Sequence, residues 1–126
     1  MLEIILNDGS AYEALNETTV FPSLSSVIRS YMEIHLPESA MSMETLERLL
    51  NDEELTKRIT LKKTDENGNV LFEDVYLNFV FNAEIGKKTV EKVDVATGAV
   101  TSEKHLVARQ EQLTLIEQKL HELGLL

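Results

Sequence analysis

Residues 71–85 read LFEDVYLNFVFNAEI and alternate between apolar and polar side chains. The polar positions Asp74, Asn78 and Asn82 have even numbers, and Glu73 interrupts the odd side. Successive side chains of a strand point to opposite faces, so the pattern predicts one long strand with its odd residues in the core. These predicted core residues are Leu71, Val75, Leu77, Phe79, Phe81, Ala83 and Ile85.

The stretch before this strand, Asp65 to Asn69, reads DENGN and fits either a calcium loop or a hairpin turn. A calcium loop starting at Asp65 would have Val70 at its sixth position in place of glycine, and Tyr76 at its twelfth in place of glutamate. Asn-Gly is the preferred pair of a two-residue type I′ turn. We therefore predict a hairpin with Asn67-Gly68 at its tip, and no metal site.

The N-terminal half predicts a hairpin followed by a single strand. Leu2–Leu6 and residues 11–15 flank the turn signal NDGS, and residues 16–26 read as a loop. Residues 27–36 alternate, with Ile28, Met32, Ile34 and Leu36 on the predicted core side, and Arg29, Glu33 and His35 on the other. Pro37 cannot donate to a strand ladder and is expected to end this strand.

A helical period follows at residues 42–57, where Ser42 is a candidate cap and Leu46, Leu49 and Leu50 form an apolar face. Asn51 and Asp52 indicate a break and a new cap, with Leu55 and Ile59 continuing the face. A third hairpin is predicted from residues 89–95 and 100–109, as an edge or a ribbon standing off the main sheet because charges occupy both of its faces.

Residues 111–123 predict a C-terminal helix that ends at Gly124. Its apolar stripe is short, so two interpretations stay open: a face docked on its own sheet, or a contact between chains. We name this stripe as the candidate interface, and its residues are Leu113, Ile116, Leu120 and Leu123.

Together these patterns predict an α+β fold. It would be a mainly antiparallel β-sheet of hairpins, with a short helix near residues 42–57 packed on it and a C-terminal helix. The length of 126 residues and the lack of a linker predict a single domain over residues 1–126.

The net charge and the lack of cysteine argue against several classes of function. The net charge of −10 opposes direct binding to nucleic acids and to anionic membranes, since both need basic residues. Residues 1–59 carry most of it, with eleven acidic and four basic residues, a balance of −7. There is no cysteine, which excludes disulfides and thiolate chemistry. The N-terminus has neither a signal peptide nor a membrane span, so we expect a protein not secreted by that route.

The sequence offers no recognisable catalytic pattern. His35, His105 and His121 are scattered without metal-ligand spacing and are expected at the surface. The serines lack a nucleophile elbow, and the five glycines form no phosphate-binding loop. We therefore expect no catalytic residues, no cofactor and no metal, and a protein that is not an enzyme.

Four segments resemble small uncharacterised proteins of Firmicute phages and prophages, from their tail or baseplate gene modules. They are residues 18–36 (TTVFPSLSSVIRSYMEIHL), 40–55 (AMSMETLERLLNDEEL), 75–81 (VYLNFVF) and 105–123 (HLVARQEQLTLIEQKLHEL). The resemblance implies a non-enzymatic structural or accessory protein that docks on other tail proteins or on itself. It also implies a place in the host cytoplasm or on the virion.

Two alternatives belong to other function classes. The acidic N-terminal half could imitate the phosphates of a nucleic acid, which would make the chain an inhibitor of a host nucleic-acid-binding enzyme. An enzyme or small-ligand carrier would need a cavity between sheet and helices, and no residue pattern selects a ligand for it.

Overall fold

The computed structural model describes residues 1–125, which form eight strands and three short helices. The strands are β1 (Leu2–Ile5), β2 (Ala11–Ala14), β3 (Thr19–Phe21), β4 (Tyr31–Pro37), β5 (Arg58–Thr64), β6 (Val70–Leu77), β7 (Phe81–Val93) and β8 (Val100–Glu111). The helices are α1 (Met43–Leu50), α2 (Glu53–Thr56) and α3 (Leu115–Glu122).

The strands form two antiparallel sheets of four strands each. The first has the order β2-β1-β5-β6 and the second the order β3-β4-β8-β7. Buried apolar residues from both sheets and from α1 belong to one core cluster, and Met32, Ile34, Leu106 and Ile59 are at most 1% exposed. The predicted α+β fold with mainly antiparallel strands is confirmed.

The two helices between β4 and β5 start and stop where capping chemistry places them. The Ser42 hydroxyl accepts a hydrogen bond from the Thr45 N–H, and the Asp52 carboxylate accepts one from the Glu54 N–H. Leu46 and Leu50 of α1 are buried. The prediction of a helical segment with a break at Asn51–Asp52 is confirmed, although Ile59 lies in β5 and does not continue the helical face.

The single strand predicted for residues 71–85 is wrong, because the chain changes sheets in the middle of it. β6 ends at Leu77, and Asn78 adopts a positive φ of 66° that turns the chain away from the first sheet. Asn78 is held by two backbone bonds, its N–H to Lys57 O (3.0 Å) and its C=O to the Leu113 N–H (3.0 Å). β7 then starts at Phe81 in the second sheet.

A bulge near Ala83 reverses the parity of the predicted face. Asn82 lies opposite Gln110 and Ile85 opposite Ala108, so both lie on the core side, although one number is even and the other odd. The Asn82 amide donates to Gln110 Oε1 (3.1 Å), and Gln110 donates to Leu50 O (2.9 Å). An asparagine that alternation placed in water is therefore part of a hydrogen-bonded network at the core.

Most residues of the predicted core face are not buried. Phe79 is 2% exposed and Ile85 is half-buried, but Leu71, Val75, Leu77 and Phe81 are 44–59% exposed, and Ala83 is also exposed. Leu71, Val75 and Leu77 are exposed because β6 is an edge strand that pairs only with β5, and its odd residues face away from the core cluster. Phe81 and Ala83 lie at the start of β7, the edge strand of the second sheet.

Three smaller predictions also need correction. Residues 16–26 are not all loop, because β3 pairs with β4 there. The predicted strand at residues 27–36 begins only at Tyr31, which leaves Ile28 outside it and 64% exposed. The C-terminal helix begins at Leu115, after a capping box formed by Thr114 and Glu117, because residues up to Glu111 belong to β8.

The hairpin at DENGN is confirmed, but its turn type is not. Gly68 has a positive φ of 81° and Asn67 does not, and the Gly68 N–H donates to Asp65 O (3.1 Å). This is the three-residue loop in which a left-handed glycine follows a type I turn. The Asp65 carboxylate accepts hydrogen bonds from the backbone N–H groups of Asn69 and Asn67, which lower the pKa of Asp65.

The third hairpin forms the predicted ribbon. β7 and β8 stay paired from Gly86 opposite Val107 to Val93 opposite Val100, whereas β4 accompanies β8 only as far as Pro37 opposite His105. Beyond that point the hairpin has no third strand, and residues 91–104 are all exposed. We call residues 88–104 the ribbon.

Candidate functional site

The most exposed apolar strand is β6. Val70, Leu71, Phe72, Val75 and Leu77 are 40–59% exposed, and β6 has a paired strand on only one side. A strand at the edge of a sheet with exposed apolar side chains readily pairs with a strand of another chain. β6 is therefore the first candidate for a functional surface.

The backbone of β6 is also open. The Asn78 N–H donates to Lys57 O, and antiparallel ladders alternate, so Tyr76, Asp74 and Phe72 are the β6 residues that bond to β5. The N–H and C=O groups of Leu71, Glu73 and Val75 then point away from the sheet, while the C=O of Leu77 accepts a bond from the Gln112 amide (2.8 Å). We call the outward backbone groups of residues 71–75, with the exposed side chains around them, the β6 edge.

The other three sheet edges carry features that oppose pairing. β2 has four residues and β3 three, which are short ladders for a partner. β7 is long, but lysines and glutamates occupy much of it, including Glu84, Lys87, Lys88, Glu91 and Lys92. On β6 the charged residues are Glu73 and Asp74 alone. The β6 edge is thus the long apolar edge of this fold.

A groove lies next to the C-terminal end of β6. It has a volume of about 430 Å³ and runs between residues 23–30 and the start of α3. Its apolar lining residues are Leu24, Ile28, Leu77, Leu113 and Leu115. A second depression of about 580 Å³ adjoins it along Val27, Ile28 and Ile116. We call the two together the α3 groove, and Leu77 belongs to both the groove and the end of β6.

Arg29 holds the walls of the α3 groove together. Its guanidinium bonds to Glu117 through Nε (2.9 Å) and Nη2 (2.5 Å), and Nη1 lies 3.3 Å from Glu111. It also lies 4.3 Å from the centroid of the Phe81 ring. The hydrogen bonds from Arg29 lower the pKa of Glu117 to about 2, despite an opposing contribution from burial. Arg29 is thus held by Glu117 of α3, by Glu111 at the end of β8 and by the ring of Phe81 at the start of β7.

The four residues of the candidate interface fall in different environments. Leu113 precedes α3 and is 9% exposed, and Leu120 is half-buried. Ile116 and Leu123 are 55% and 62% exposed. No residue of α3 is buried in the described part of the chain, and Leu120 is half-buried, so at most part of the stripe packs on this chain and the interface stays a prediction. Leu113 and Ile116 line the α3 groove.

A second site joins two histidines that the sequence analysis placed at the surface. His35 and His105 are 6% and 1% exposed, and their Nδ1 atoms lie 2.9 Å apart. The ring centroids are 5.2 Å apart, so the two Nδ1 atoms are the ring atoms that point toward each other. We call these residues the histidine pair.

Each outer ring nitrogen of the histidine pair contacts a carboxylate. His35 Nε2 lies 2.8 Å from Glu33 Oε1, and His105 Nε2 lies 3.2 Å from Glu103 Oε2. The hydrogen bond from His105, with a second from Lys92, lowers the pKa of Glu103. Lys92 also lies 3.3 Å from Glu17, so the network continues to the segment after β2.

The sequence contained a signal for the histidine pair. Glu33-x-His35 and Glu103-x-His105 are the same triplet on two strands, and the spacing of two places each glutamate on the face of its histidine. Only the register of β4 against β8 shows that the triplets meet. His121 lies on α3 and is exposed as predicted, and its Nε2 is 2.6 Å from Glu53 Oε1.

Comparison with family models, with curated proteins and with solved structures found no match to this chain. Within residues 1–125, no group of three or more His, Asp or Glu side chains could hold a metal ion. Over the same residues, no helix is long and apolar enough to cross a membrane.

Proposed function

We propose that this chain is a non-enzymatic docking protein that binds an extended segment of a partner protein along the β6 edge. The single observation that carries this proposal is the combination on β6 of outward backbone groups with side chains that are 40–59% exposed. A partner strand would bond to the backbone of Leu71, Glu73 and Val75 and cover the apolar side chains beside them.

The charges of β6 favour a basic partner segment over a second copy of this chain. Glu73 and Asp74 are adjacent near the centre of β6, and neither forms an ion pair within the described residues. Lys62 lies across the ladder from Glu73, whereas Asp74 lies across from Leu61 and has no basic residue opposite it on β5. Antiparallel pairing of β6 with another β6 would bring these carboxylates against each other, and like charges across a ladder are destabilising. A strand that carries Lys or Arg opposite them would be attracted.

The α3 groove extends the proposed surface. It begins at Leu77 and offers Leu24, Ile28 and Leu115 to an apolar side chain that follows the paired strand. The ion pairs of Arg29 make this groove a formed surface rather than a gap between loose segments. The candidate-interface residues Leu113 and Ile116 are proposed to contribute here.

The resemblance to phage and prophage tail modules supplies the proposed class of partner. We propose that the partner is another subunit of a tail or baseplate, and that the chain acts in the host cell or on the particle. The class of partner is inferred from the resemblance alone, whereas the β6 edge is inferred from the structure without it.

Binding of a defined peptide tests the docking surface. The probe is a ten-residue peptide that alternates valine and lysine, and its control replaces every lysine with glutamate. We expect the basic peptide to bind and the acidic one not to, as measured by fluorescence anisotropy. Val75→Pro removes an outward N–H and should abolish binding, because proline cannot donate to the new ladder.

Two results would count against the docking surface. Equal binding of both peptides would show that charge does not select the partner, and unchanged binding to Val75→Pro would place the contact elsewhere. Co-expression with the products of neighbouring genes tests the tail assignment separately. A neighbouring tail subunit that co-purifies with the wild-type chain but not with Val75→Pro would support it, and no such subunit would oppose it.

A further inference from the structure

The hydrogen bonds of the histidine pair fix how many protons it can hold. An ionised carboxylate only accepts hydrogen bonds, so Nε2 of His35 must carry a proton to donate to Glu33, and Nε2 of His105 one to donate to Glu103. The 2.9 Å contact between the Nδ1 atoms needs one more proton, shared between them. Three bonds therefore need three protons, whereas two neutral imidazoles carry two.

The charges around the histidine pair favour the third proton. Three carboxylates lie in its network, those of Glu17, Glu33 and Glu103, and Lys92 is the cation that bonds to two of them. In the described part of the chain no hydrogen-bond partner reaches the buried Oε2 of Glu17. Burial raises the pKa of Glu17, but its own backbone and Lys92 outweigh burial and leave it below the ordinary value.

Two further cations and one further carboxylate, Glu84, face the histidine pair from neighbouring strands, and Glu84 lies across the ladder from Arg109. Lys88 lies directly across the ladder from His105, and Arg109 lies across from Glu33. The Arg109 guanidinium bonds to Glu111 (2.9 Å) and lies 3.7 Å from the centroid of the Tyr31 ring. Lys88 and Glu103 are both exposed on the surface, where water screens their charges alike.

The histidine pair sits at the root of the ribbon. His105 lies opposite Pro37, the last residue of β4, so it marks the point where β8 loses its second neighbour. Lys92 of the ribbon connects Glu103 on one side to Glu17 on the other. A change in the pair therefore acts where the ribbon joins the second sheet.

We propose that His35 and His105 together hold three protons and one positive charge, and that this charge fixes the ribbon to the second sheet. A fourth proton would set two Nδ1–H groups against each other and break the contact. Loss of the third proton would leave a bare Nε2 facing a carboxylate. Either change removes one of the three hydrogen bonds, so we expect the ribbon to loosen when the pair gains a fourth proton and when it loses its third.

The proton count follows from nitrogen-15 NMR of the histidine rings in the wild-type chain. We expect three protonated nitrogens among the four of the pair near neutral pH, and the signals of both rings to change together in a titration. His105→Gln should alter the titration of His35. His121→Gln is the matched control and should leave it unchanged. Two neutral rings that titrate independently would overturn the proposal.

Ribbon motion is read out by spin-label distances. The chain has no cysteine, so Arg48→Cys with Thr97→Cys places labels only on α1 and on the ribbon tip. The distance distribution should be narrow near neutral pH and broaden in acid while circular dichroism shows the strands intact. Amide exchange of His105 and Leu106 should accelerate about tenfold or more in His35→Gln. An unchanged distribution across pH would overturn the link between the charge and the ribbon.

Discussion

β4 and β6 were both predicted to be strands with one buried face, and only β4 has one. Met32, Ile34 and Leu36 of β4 are at most 1% exposed, whereas Leu71, Val75 and Leu77 of β6 are 44–59% exposed. β4 lies between β3 and β8, while β6 has only β5 beside it. The sequence pattern thus identifies a strand, but the position of the strand in the fold decides whether either of its faces is buried.

The largest expected difference is the loss of stability on truncation. Met32→Ala should lower the free energy of unfolding by about 2–5 kcal/mol, because Met32 is fully buried and leaves a cavity. Val75→Ala should change it by about 0.5 kcal/mol or less, because Val75 is largely in water. Urea unfolding of both variants measures the two values. Similar losses would mean that β6 is not an exposed edge.

Proline placement on β6 gives the second largest difference. Asp74→Pro removes a ladder bond to the buried residue Leu61 of β5 and leaves its carbonyl unpaired, which should cost about 1–3 kcal/mol. Val75→Pro removes only an outward N–H and should cost clearly less. Thermal melting compares the two variants. A larger loss for Val75→Pro would reverse the assignment of inward and outward residues on β6.

The turn between the sheets gives a third, smaller effect. Asn78→Ala should lower stability by about 1–2 kcal/mol, since a side chain with a Cβ is strained at positive φ and asparagine tolerates it better. Asn78→Gly is the control and should be close to neutral. If alanine and glycine behave alike, the chain does not turn at Asn78 in the way described.

The smallest expected change in the free energy of unfolding comes from the Arg29–Glu117 ion pair of the α3 groove, and it depends on pH. Arg29 lowers the pKa of Glu117 from its ordinary 4.5 to about 2. A carboxylate with a depressed pKa contributes stability above about pH 4.5, and this is lost as the pH falls toward 2. We expect Glu117→Gln to cost about 1 kcal/mol or less at neutral pH, because the pair is partly exposed. The cost should be clearly smaller near pH 2, where about half of the wild-type carboxylate is protonated. Unfolding curves at both pH values check this.

The sequence was sufficient for features set by local chemistry. The positions of the Asn-Gly and Asp-Gly turns, the Ser42 and Asp52 caps, and the helix break at Asn51 depend on neighbours within a few residues. The type and approximate position of most elements followed from them. The turn type predicted at Asn67-Gly68 was wrong. The hairpin of the ribbon and its polar character were also predicted, because charges on both faces of β7 and β8 are visible in the sequence.

The misses came from contacts between distant segments. The turn at Asn78 depends on bonds to Lys57 and to Leu113, 21 and 35 residues away, and nothing near Asn78 in the sequence indicates them. The bulge near Ala83 depends on the register against β8. His35 and His105 are 70 residues apart, so their contact appears only once β4 and β8 are aligned.

Residue-level amide exchange of the free chain tests the β6 edge most directly. We predict alternation along β6: fast exchange at Leu71, Glu73 and Val75, and protection at Phe72, Asp74 and Tyr76. Addition of the basic peptide should slow the first three and leave the others unchanged. Equal protection of all six amides in the free chain would show that the edge is already covered, and would contradict the account.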